Sequence, residues 1–444
     1  MKRASAFLLF FFLGFSWFGF AQGFALPKGQ KYQKVPFQLV NNIIVLPLIV
    51  NGTELSFILD SGISRPILFN IADKDSVQLR DVSEITIRGL GTGEPIKALS
   101  SKGNTFQLKN VRNTNQSLYV VHHKEFNFSQ TLGVPVHGII GYELFRDFVV
   151  EINYRSKNIK FHSPETYRHR TSTKYEILPL AIVNKKPYLD GKISLGESDE
   201  VPVTLLLDTG SSDAIWLFEN EKIDVPEKNY DDFLGRGLSG SVYGKRSKIN
   251  GITMGRFSVK DAKTAFPQRE AFGAVKLGNR NGSIGGEVLK RFNIVFDYPN
   301  NRISLKKNGN FSMPFHFNMS GIELQHDGMR YLVESITDPR GVVQKKSVVW
   351  GDVQILLKNA TRLSLVPEIV VSGIRAGSPA EIAGLQEGDM VLSVNGKSVH
   401  TYKLQEIVQM LNEKEGKRIR VRVVRQNMDL VYSFVLKDVF KEKP

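Results

Sequence analysis

The sequence predicts a mainly β chain, with two lobes built on one plan followed by a smaller C-terminal α/β module. Three observations carry this. Short runs of Val, Ile, Leu and Phe, bounded by Asn-Gly and other polar breaks, punctuate most of the chain as strands and turns. A pattern in the first half returns in the second. Near the C-terminus, two helical segments stand between strands. A length of 444 residues suits about three domains.

Composition narrows the chemistry. Hydrophobic residues are 41% and charged residues 23%, a globular balance that argues against disorder throughout. Cysteine is absent. This excludes a disulfide scaffold, a Cys-ligated zinc site, a cysteine nucleophile and a lipid anchor on an N-terminal cysteine. The formal net charge of +15 fits either an anionic partner or an ordinary basic surface, and we adopt the second, with no nucleic acid.

The first residues read as a targeting segment. Lys2 and Arg3 precede an apolar run from Ala6 to Phe20, and Gly19-Phe20-Ala21 places small residues at the two positions that a signal-peptide cut requires. Cleavage after Ala21 removes residues 1–21 and leaves the mature chain near +13 (15 − 2). No later apolar stretch is long enough to span a membrane, so the expectation is an exported protein, periplasmic or secreted.

The repeat organises the next 270 or so residues. Phe57-Ile58-Leu59-Asp60-Ser61-Gly62-Ile63-Ser64 matches Leu205-Leu206-Leu207-Asp208-Thr209-Gly210-Ser211-Ser212 at an offset of 148 residues. Downstream, Gly138-Ile139-Ile140-Gly141-Tyr142-Glu143 matches Gly282-Ser283-Ile284-Gly285-Gly286-Glu287 at an offset of 144, continuing through Phe148/Phe292, Tyr154/Tyr298 and Ile159/Ile303. Lobe 1 is set at residues 30–165 and lobe 2 at 175–308, with the polar stretch 163–175 as linker. Strands are expected at Val45–Val50, Ser56–Leu59, Val149–Ile152 and Ile159–Phe161. Lobe 2 repeats them at Tyr188–Ile193, Val203–Leu207, Ile294–Phe296 and Ile303–Leu305. Glu143–Asp147 and Glu287–Arg291 each fit one short helix.

The paired Asp-Ser/Thr-Gly loops carry the chemistry. In each lobe a buried strand ends by delivering a carboxylate into a tight glycine turn. A pseudo-twofold arrangement sets Asp60 beside Asp208. Two adjacent carboxylates do not both ionise readily, so one keeps a proton. The charged member can then take a proton from water while the neutral one donates to a carbonyl oxygen, which hydrolyses an amide without metal or covalent intermediate.

These loops, each followed by an apolar-apolar-Gly turn, resemble the retropepsin-like aspartyl proteases of the pepsin-like clan, with both halves fused in one chain over roughly residues 35–307. The resemblance implies the two-lobed acid-protease β-barrel fold. It also implies Asp60 and Asp208 as the catalytic pair, with Ser61, Gly62, Thr209 and Gly210 supporting them. Members of this family close a Gly-rich hairpin over the substrate. Gly89, Gly91 and Gly93 suit that role in lobe 1, and Gly235, Gly237 and Gly240 in lobe 2. Some details depart from the family pattern. Ile63 replaces the usual Ala or Ser, Ser61 replaces the commoner Thr, and Arg65 stands close enough in sequence to favour acidic substrates or depress a carboxylate pKa.

Residues 369–399, with Ser378-Pro379-Ala380, Gly384-Leu385, Gly388-Asp389 and Asn395-Gly396, resemble a PDZ domain of the bacterial protease-associated kind. Leu404–Leu411 reads as its groove helix, and Ile419–Val424 and Leu430–Leu436 as its closing strands. PDZ domains bind a chain end by strand addition. Ser320-Gly321-Ile322-Glu323-Leu324 is the candidate carboxylate loop, assigning Gly321, Ile322 and Leu324 to peptide binding. The domain is set at 312–440 with an insertion around 327–367, of which Lys345–Val366 reads as a hairpin or mobile arm.

Rival chemistries fit less well. Gly282-Ser283-Ile284-Gly285-Gly286 looks like a serine-nucleophile turn, but Ile284 occupies the nucleophile's place and no His–Asp partners precede it. Asp208-Thr209-Gly210 lacks the nearby Asp or Lys of a phosphoryl-transfer site. His122-His123 has no third ligand at metal spacing, so no metal or cofactor is expected. The reading is an exported aspartic endopeptidase acting on peptides or unfolded proteins. The alternative is an inactive peptidase-fold and PDZ binding scaffold.

Overall fold

The computed structural model describes residues 23–440 apart from 72–75, 92, 123–126, 197–199, 273–277, 337–346, 351–352 and 357–359. The leader at 1–21 and His123 lie outside the described residues, and His122 is exposed.

Lobe 1 begins with β1 (Tyr32–Pro36), β2 (Gln38–Val40), β3 (Ile43–Val50) and β4 (Thr53–Leu59). Next come β5 (Ile67–Leu68), β6 (Val82–Ile87), β7 (Ile96–Leu108) and β8 (Val111–Val120). It closes with α1 (Phe128–Leu132), β9 (Gly138–Ile140), α2 (Tyr142–Asp147), β10 (Val149–Asn153) and β11 (Asn158–His162). β3 is a nearly continuous apolar run buried along most of its length, as a central strand demands. It reverses into β4 through Asn51-Gly52, both in the left-handed region (φ 48° and 94°), the geometry of a two-residue hairpin. β4 then pairs in parallel with β9, Phe57 opposite Gly138 and Leu59 opposite Ile140. Parallel neighbours need a long crossover, and that crossover carries the β6–β7 hairpin.

Lobe 2 opens with β12 (Glu176–Pro179), β13 (Ala181–Val183), β14 (Lys186–Ser194), β15 (Glu200–Leu207) and β16 (Ile215–Leu217). It continues through β17 (Asn229–Gly237), β18 (Gly240–Met254), β19 (Phe257–Pro267) and β20 (Gly282–Ile284). The last elements are α3 (Gly286–Leu289), β21 (Phe292–Asp297) and β22 (Arg302–Lys307). Its sheet order, β13-β14-β15-β20-β16-β19-β18-β17, repeats strand for strand the β2-β3-β4-β9-β5-β8-β7-β6 of lobe 1. A third sheet, β1-β11-β10-β21-β22-β12, takes three strands from each lobe. The lobes join at β10–β21, where Glu151 faces Val295, positions that the sequence repeat makes equivalent. The local twofold axis therefore passes through that pair. One apolar core runs through both lobes, with Phe145 of lobe 1 stacked 5.2 Å from Tyr298 of lobe 2. The 163–175 linker has no strand or helix, yet it is pinned: His169 Nε2 lies 2.7 Å from Asp297 Oδ2.

The C-terminal module has its own core. It comprises β23 (Ile322–Ile336), β24 (Ser347–Trp350), β25 (Val353–Leu356), β26 (Ala360–Ile374) and α4 (Pro379–Ile382). After these come β27 (Met390–Val394), β28 (Lys397–Ser398), α5 (Leu404–Leu411), β29 (Arg418–Arg425) and β30 (Met428–Val435). Ser378 caps α4, its Oγ accepting the Glu381 N–H at 3.3 Å, and Pro379 follows at the first helical position. α5 packs Leu404, Ile407 and Leu411 inward. Asp389, wholly buried, is held by Arg425 at 2.6 and 2.7 Å. The inserted residues prolong β23 and β26 into one ladder from Ile322↔Ile374 to Ile336↔Ala360. Outside the module core this ribbon exposes the apolar cross-strand pairs Tyr331↔Leu365 and Val333↔Leu363. Among the described residues, no helix is long and apolar enough to cross a membrane.

Candidate active site

β4 and β15 each end on the aspartate of their lobe. The Asp60 N–H donates to the Ile140 carbonyl and the Asp208 N–H to the Ile284 carbonyl, both at 2.9 Å. The two loops lock together through their next residues. Ser61 Oγ donates to the Leu207 carbonyl (2.6 Å) and accepts the Thr209 N–H (3.0 Å). Reciprocally, Thr209 Oγ1 donates to the Leu59 carbonyl (2.8 Å) and accepts the Ser61 N–H (3.0 Å). Both hydroxyls are fully buried, so all four bonds matter to the fold.

Glycine is required here by close approach. A Cβ on Gly210 would stand 2.4 Å from the Asp60 Cγ, and one on Gly141 would stand 1.7 Å from the Asp60 carbonyl oxygen. A Cβ on Gly62 would lie 3.1 Å from Asp60 Oδ1 and 3.4 Å from the Asp208 Cγ. These figures place the two carboxyl groups side by side across the twofold. Gly62 N–H donates to Asp60 Oδ1 at 2.6 Å, and Gly210 N–H to Asp208 Oδ1 at 3.1 Å.

Electrostatics make the pair unequal. Burial, and then the Asp208 charge beside it, push the Asp60 carboxyl up to about 8, against the opposing Gly62 N–H and Lys186. The pair therefore keeps one proton at neutral pH. The cation that counters Asp60 is Lys186, not Arg65. Arg65 turns away to donate to the Tyr119 hydroxyl (3.1 Å) and lies 4.9 Å over that ring. Lys186 begins β14, at the register position that Ile43 occupies in lobe 1 (Ala181↔Tyr188 against Gln38↔Val45). Sequence reading missed it because its role depends on the crossing of one lobe's hairpin onto the other.

The two Gly-rich hairpins meet tip to tip. Gly89 N–H donates to Ser239 Oγ (3.0 Å), Gly93 N–H to the Ser239 carbonyl (2.5 Å), and Ser239 N–H to the Leu90 carbonyl (2.8 Å). Gly91 (φ 124°) and Gly240 (φ 108°) adopt backbone open to glycine, and a Cβ on Gly237 would stand 2.2 Å from the Leu90 carbonyl oxygen. Gly235 (φ 140°) sits at a bulge in β17.

The candidate PDZ loop is differently disposed from its sequence reading. Ile322 and Leu324 point into the module core. Gly321 (φ 81°) packs against Ser378. The backbone donors that would hold a carboxylate are already engaged. Ser320 N–H donates to Asn412 Oδ1, Gly321 N–H to Asn318 Oδ1 and Ile322 N–H to Ser320 Oγ. β23 does lie at the edge of its sheet, next to α5. In the turn that superficially resembles a serine-nucleophile motif, Ser283 is buried within β20.

Sequence reading also passed over Asp213 and Arg246. Burial pushes the Asp213 carboxyl up, but Arg246, Lys263 and the Trp216 N–H outweigh it and hold the group below its ordinary value. Their link spans 33 residues and no local motif marks it.

Residues 46–144 match the family model described as an aspartyl protease, and residues 370–425 that of a PDZ domain. Over 65 residues the chain is 38% identical to the carboxy-terminal processing protease CtpA of Bacillus subtilis (strain 168). That match spans 14% of this chain and 14% of that relative's length. Among solved structures, the chain is similar to the aspartic proteinase from Irpex lacteus, at 15% identity and a TM-score of 0.42 over 64% of this chain and 99% of the other.

Proposed function

We propose that this chain, which joins an aspartyl protease domain to a PDZ domain, is an endopeptidase that hydrolyses peptide bonds with a water activated between Asp60 and Asp208. The observation that carries the reading is the side-by-side placement of the two carboxyl groups by the interlocked Ser61 and Thr209 loops. Burial and the neighbouring Asp208 charge raise the Asp60 carboxyl, so the pair keeps one proton at neutral pH.

The chemistry follows from that arrangement. Asp208 accepts a proton from the attacking water as its oxygen bonds to the scissile carbonyl carbon. Asp60 donates its proton to the carbonyl oxygen, giving a neutral tetrahedral diol. As the C–N bond breaks, the leaving amine takes the proton from Asp208 and a diol hydroxyl returns its proton to Asp60 as the carboxyl group forms, so the dyad regains its single shared proton. The Ser61–Thr209 lock holds the two carboxyl groups in place, so the substrate meets a preformed pair. An extended substrate fits between paired hairpin tips that must part to admit it.

The PDZ domain supports peptide or protein binding, and we assign it recruitment of substrate or partner through β23. A ligand carboxylate must first displace the side-chain acceptors of Asn318 and Ser320. The leader pattern of residues 1–21 supports export, and N-terminal sequencing of the mature protein tests it by the predicted start at Gln22.

The test is cleavage of an unstructured protein by the parent, Asp60→Asn and Asp208→Asn, with folding followed by circular dichroism. Cleavage by the parent and its loss by at least about a thousandfold in both folded variants supports the reading. No cleavage by the folded parent favours a binding scaffold.

A further inference from the structure

A run of polar side chains leads from the PDZ domain to the Asp208 loop. On β23, Glu323 Oε1 accepts from Asn318 Nδ2 (2.9 Å) and lies close to Asp232, Arg246 and Arg375. Arg375, just after β26, donates to the Asn318 carbonyl (2.7 Å) and covers the Tyr230 ring at 4.3 Å. Phe440, beyond the last strand, approaches the same ring at 5.7 Å. Tyr230 lies on β17, the outer strand of the lobe 2 hairpin, and faces Arg246 on β18 in register. The PDZ domain thus seats directly on the strand that carries the hairpin tip.

Arg246 continues the run inward. Its Nε donates to Asp232 Oδ2 and its Nη1 to Asp213 Oδ1, both at 2.7 Å; Arg246 and Asp213 are buried and Asp232 half-buried. Asp213 fastens two pieces of the site. Its Oδ2 accepts the Trp216 Nε1–H (2.9 Å), and its backbone carbonyl accepts the Glu287 N–H (3.2 Å) just after the Gly285 turn. That turn follows Ile284, whose carbonyl holds the Asp208 amide. A planar guanidinium can span two carboxylates in fixed directions, so a displacement of β17 must strain the bond to Asp213. Lobe 1 has no counterpart, because Arg65 occupies the position equivalent to Asp213 and pairs with Tyr119.

We propose that Arg246 is a positioning residue through which the seating of the PDZ domain on β17 sets the geometry of the Asp208 loop. This rests on the reading of Asp60 and Asp208 as the catalytic pair. Peptide hydrolysis then depends on a docked PDZ domain, by way of one lobe only.

The test uses the full chain with Trp17→Phe and Trp350→Phe, which leaves Trp216 as the only one of three tryptophans. Arg375→Ala, remote from the dyad, is compared with Arg246→Met, Arg246→Lys and the Arg375→Ala/Arg246→Met double variant. Expected are a shifted Trp216 emission and a kcat about tenfold lower in Arg375→Ala, with KM within twofold. Arg246→Met lowers kcat further, Arg246→Lys recovers part of it, and the double variant is no worse than Arg246→Met alone. Unchanged emission and kcat in Arg375→Ala, or effects that simply multiply, overturn the coupling. If the folded parent cleaves nothing, the emission alone decides. A shift in Arg375→Ala then upholds the coupling while the catalytic reading fails, and no shift overturns the coupling as well.

Discussion

Burial and a neighbouring like charge let Asp60 hold a proton that an exposed aspartate releases near pH 4. The folded-state pKa is raised, so between about pH 4 and pH 8 the native chain binds more protons than the unfolded one, and stability falls as pH rises across that window. Asp60→Asn removes this cost. Thermal melts should show the variant more stable than the parent at pH 8, with the difference shrinking towards pH 4; a difference independent of pH would refute the shift. The adjoining glycines differ in the same quantitative way. A methyl on Gly210 meets the Asp60 carboxyl carbon at 2.4 Å, whereas one on Gly62 has more than 3 Å of clearance. Gly210→Ala should cost at least about a hundredfold in kcat/KM, and Gly62→Ala about tenfold or less, in chains that still fold. The paired aspartate loops were legible because the sequence presents the loop twice, in register. Lys186 and Arg246 were not, because what defines them is a partner brought by tertiary structure: the other lobe for Lys186, and a residue 33 positions away for Arg246.

Hairpins account for most of what was readable among the elements. Asn51-Gly52 and Asn395-Gly396 adopt positive φ at the turns their residue types announce. α5 occupies Leu404–Leu411 as its apolar spacing requires. The ribbon of β23 and β26 was harder to read. It pairs through register shifts at Glu323/Leu324 and His326/Met329, and bulges of this kind break the alternation that marks a strand. The engaged donors of the Ser320–Ile322 loop were equally hidden, since the Asn318, Ser320 and Asn412 side chains that satisfy them are common loop residues. At the hairpin tips, Ser239 is the joint. Ser239→Ala leaves the Gly89 N–H without its acceptor, a loss of about 1 kcal/mol. Amide exchange over residues 89–93 should quicken about fivefold; unchanged exchange there would mean that the tips are held by other contacts.

The whole molecule is organised by one approximate twofold. It runs through the Glu151↔Val295 pair, relates two eight-stranded sheets of identical order, and brings Asp60 and Asp208 together. That much follows from a repeat visible in the sequence, because two copies of one strand–loop plan bury their shared apolar face by packing on each other. The departures from symmetry are what the repeat could not reveal: Lys186 against Ile43, Asp213 against Arg65, and a PDZ domain seated on lobe 2's hairpin strand. Of these, Lys186 bears on the dyad, opposing the burial and the Asp208 charge that raise the Asp60 carboxyl. The most direct test is kcat/KM on an unstructured protein from pH 3 to 10, for the parent and for Lys186→Met. Activity should fall as pH rises through about 8, where Asp60 loses its proton, and removal of the opposing Lys186 charge should move that fall to higher pH. Activity that holds or rises through pH 9, or a fall that Lys186→Met leaves in place, would contradict a dyad working through a protonated Asp60.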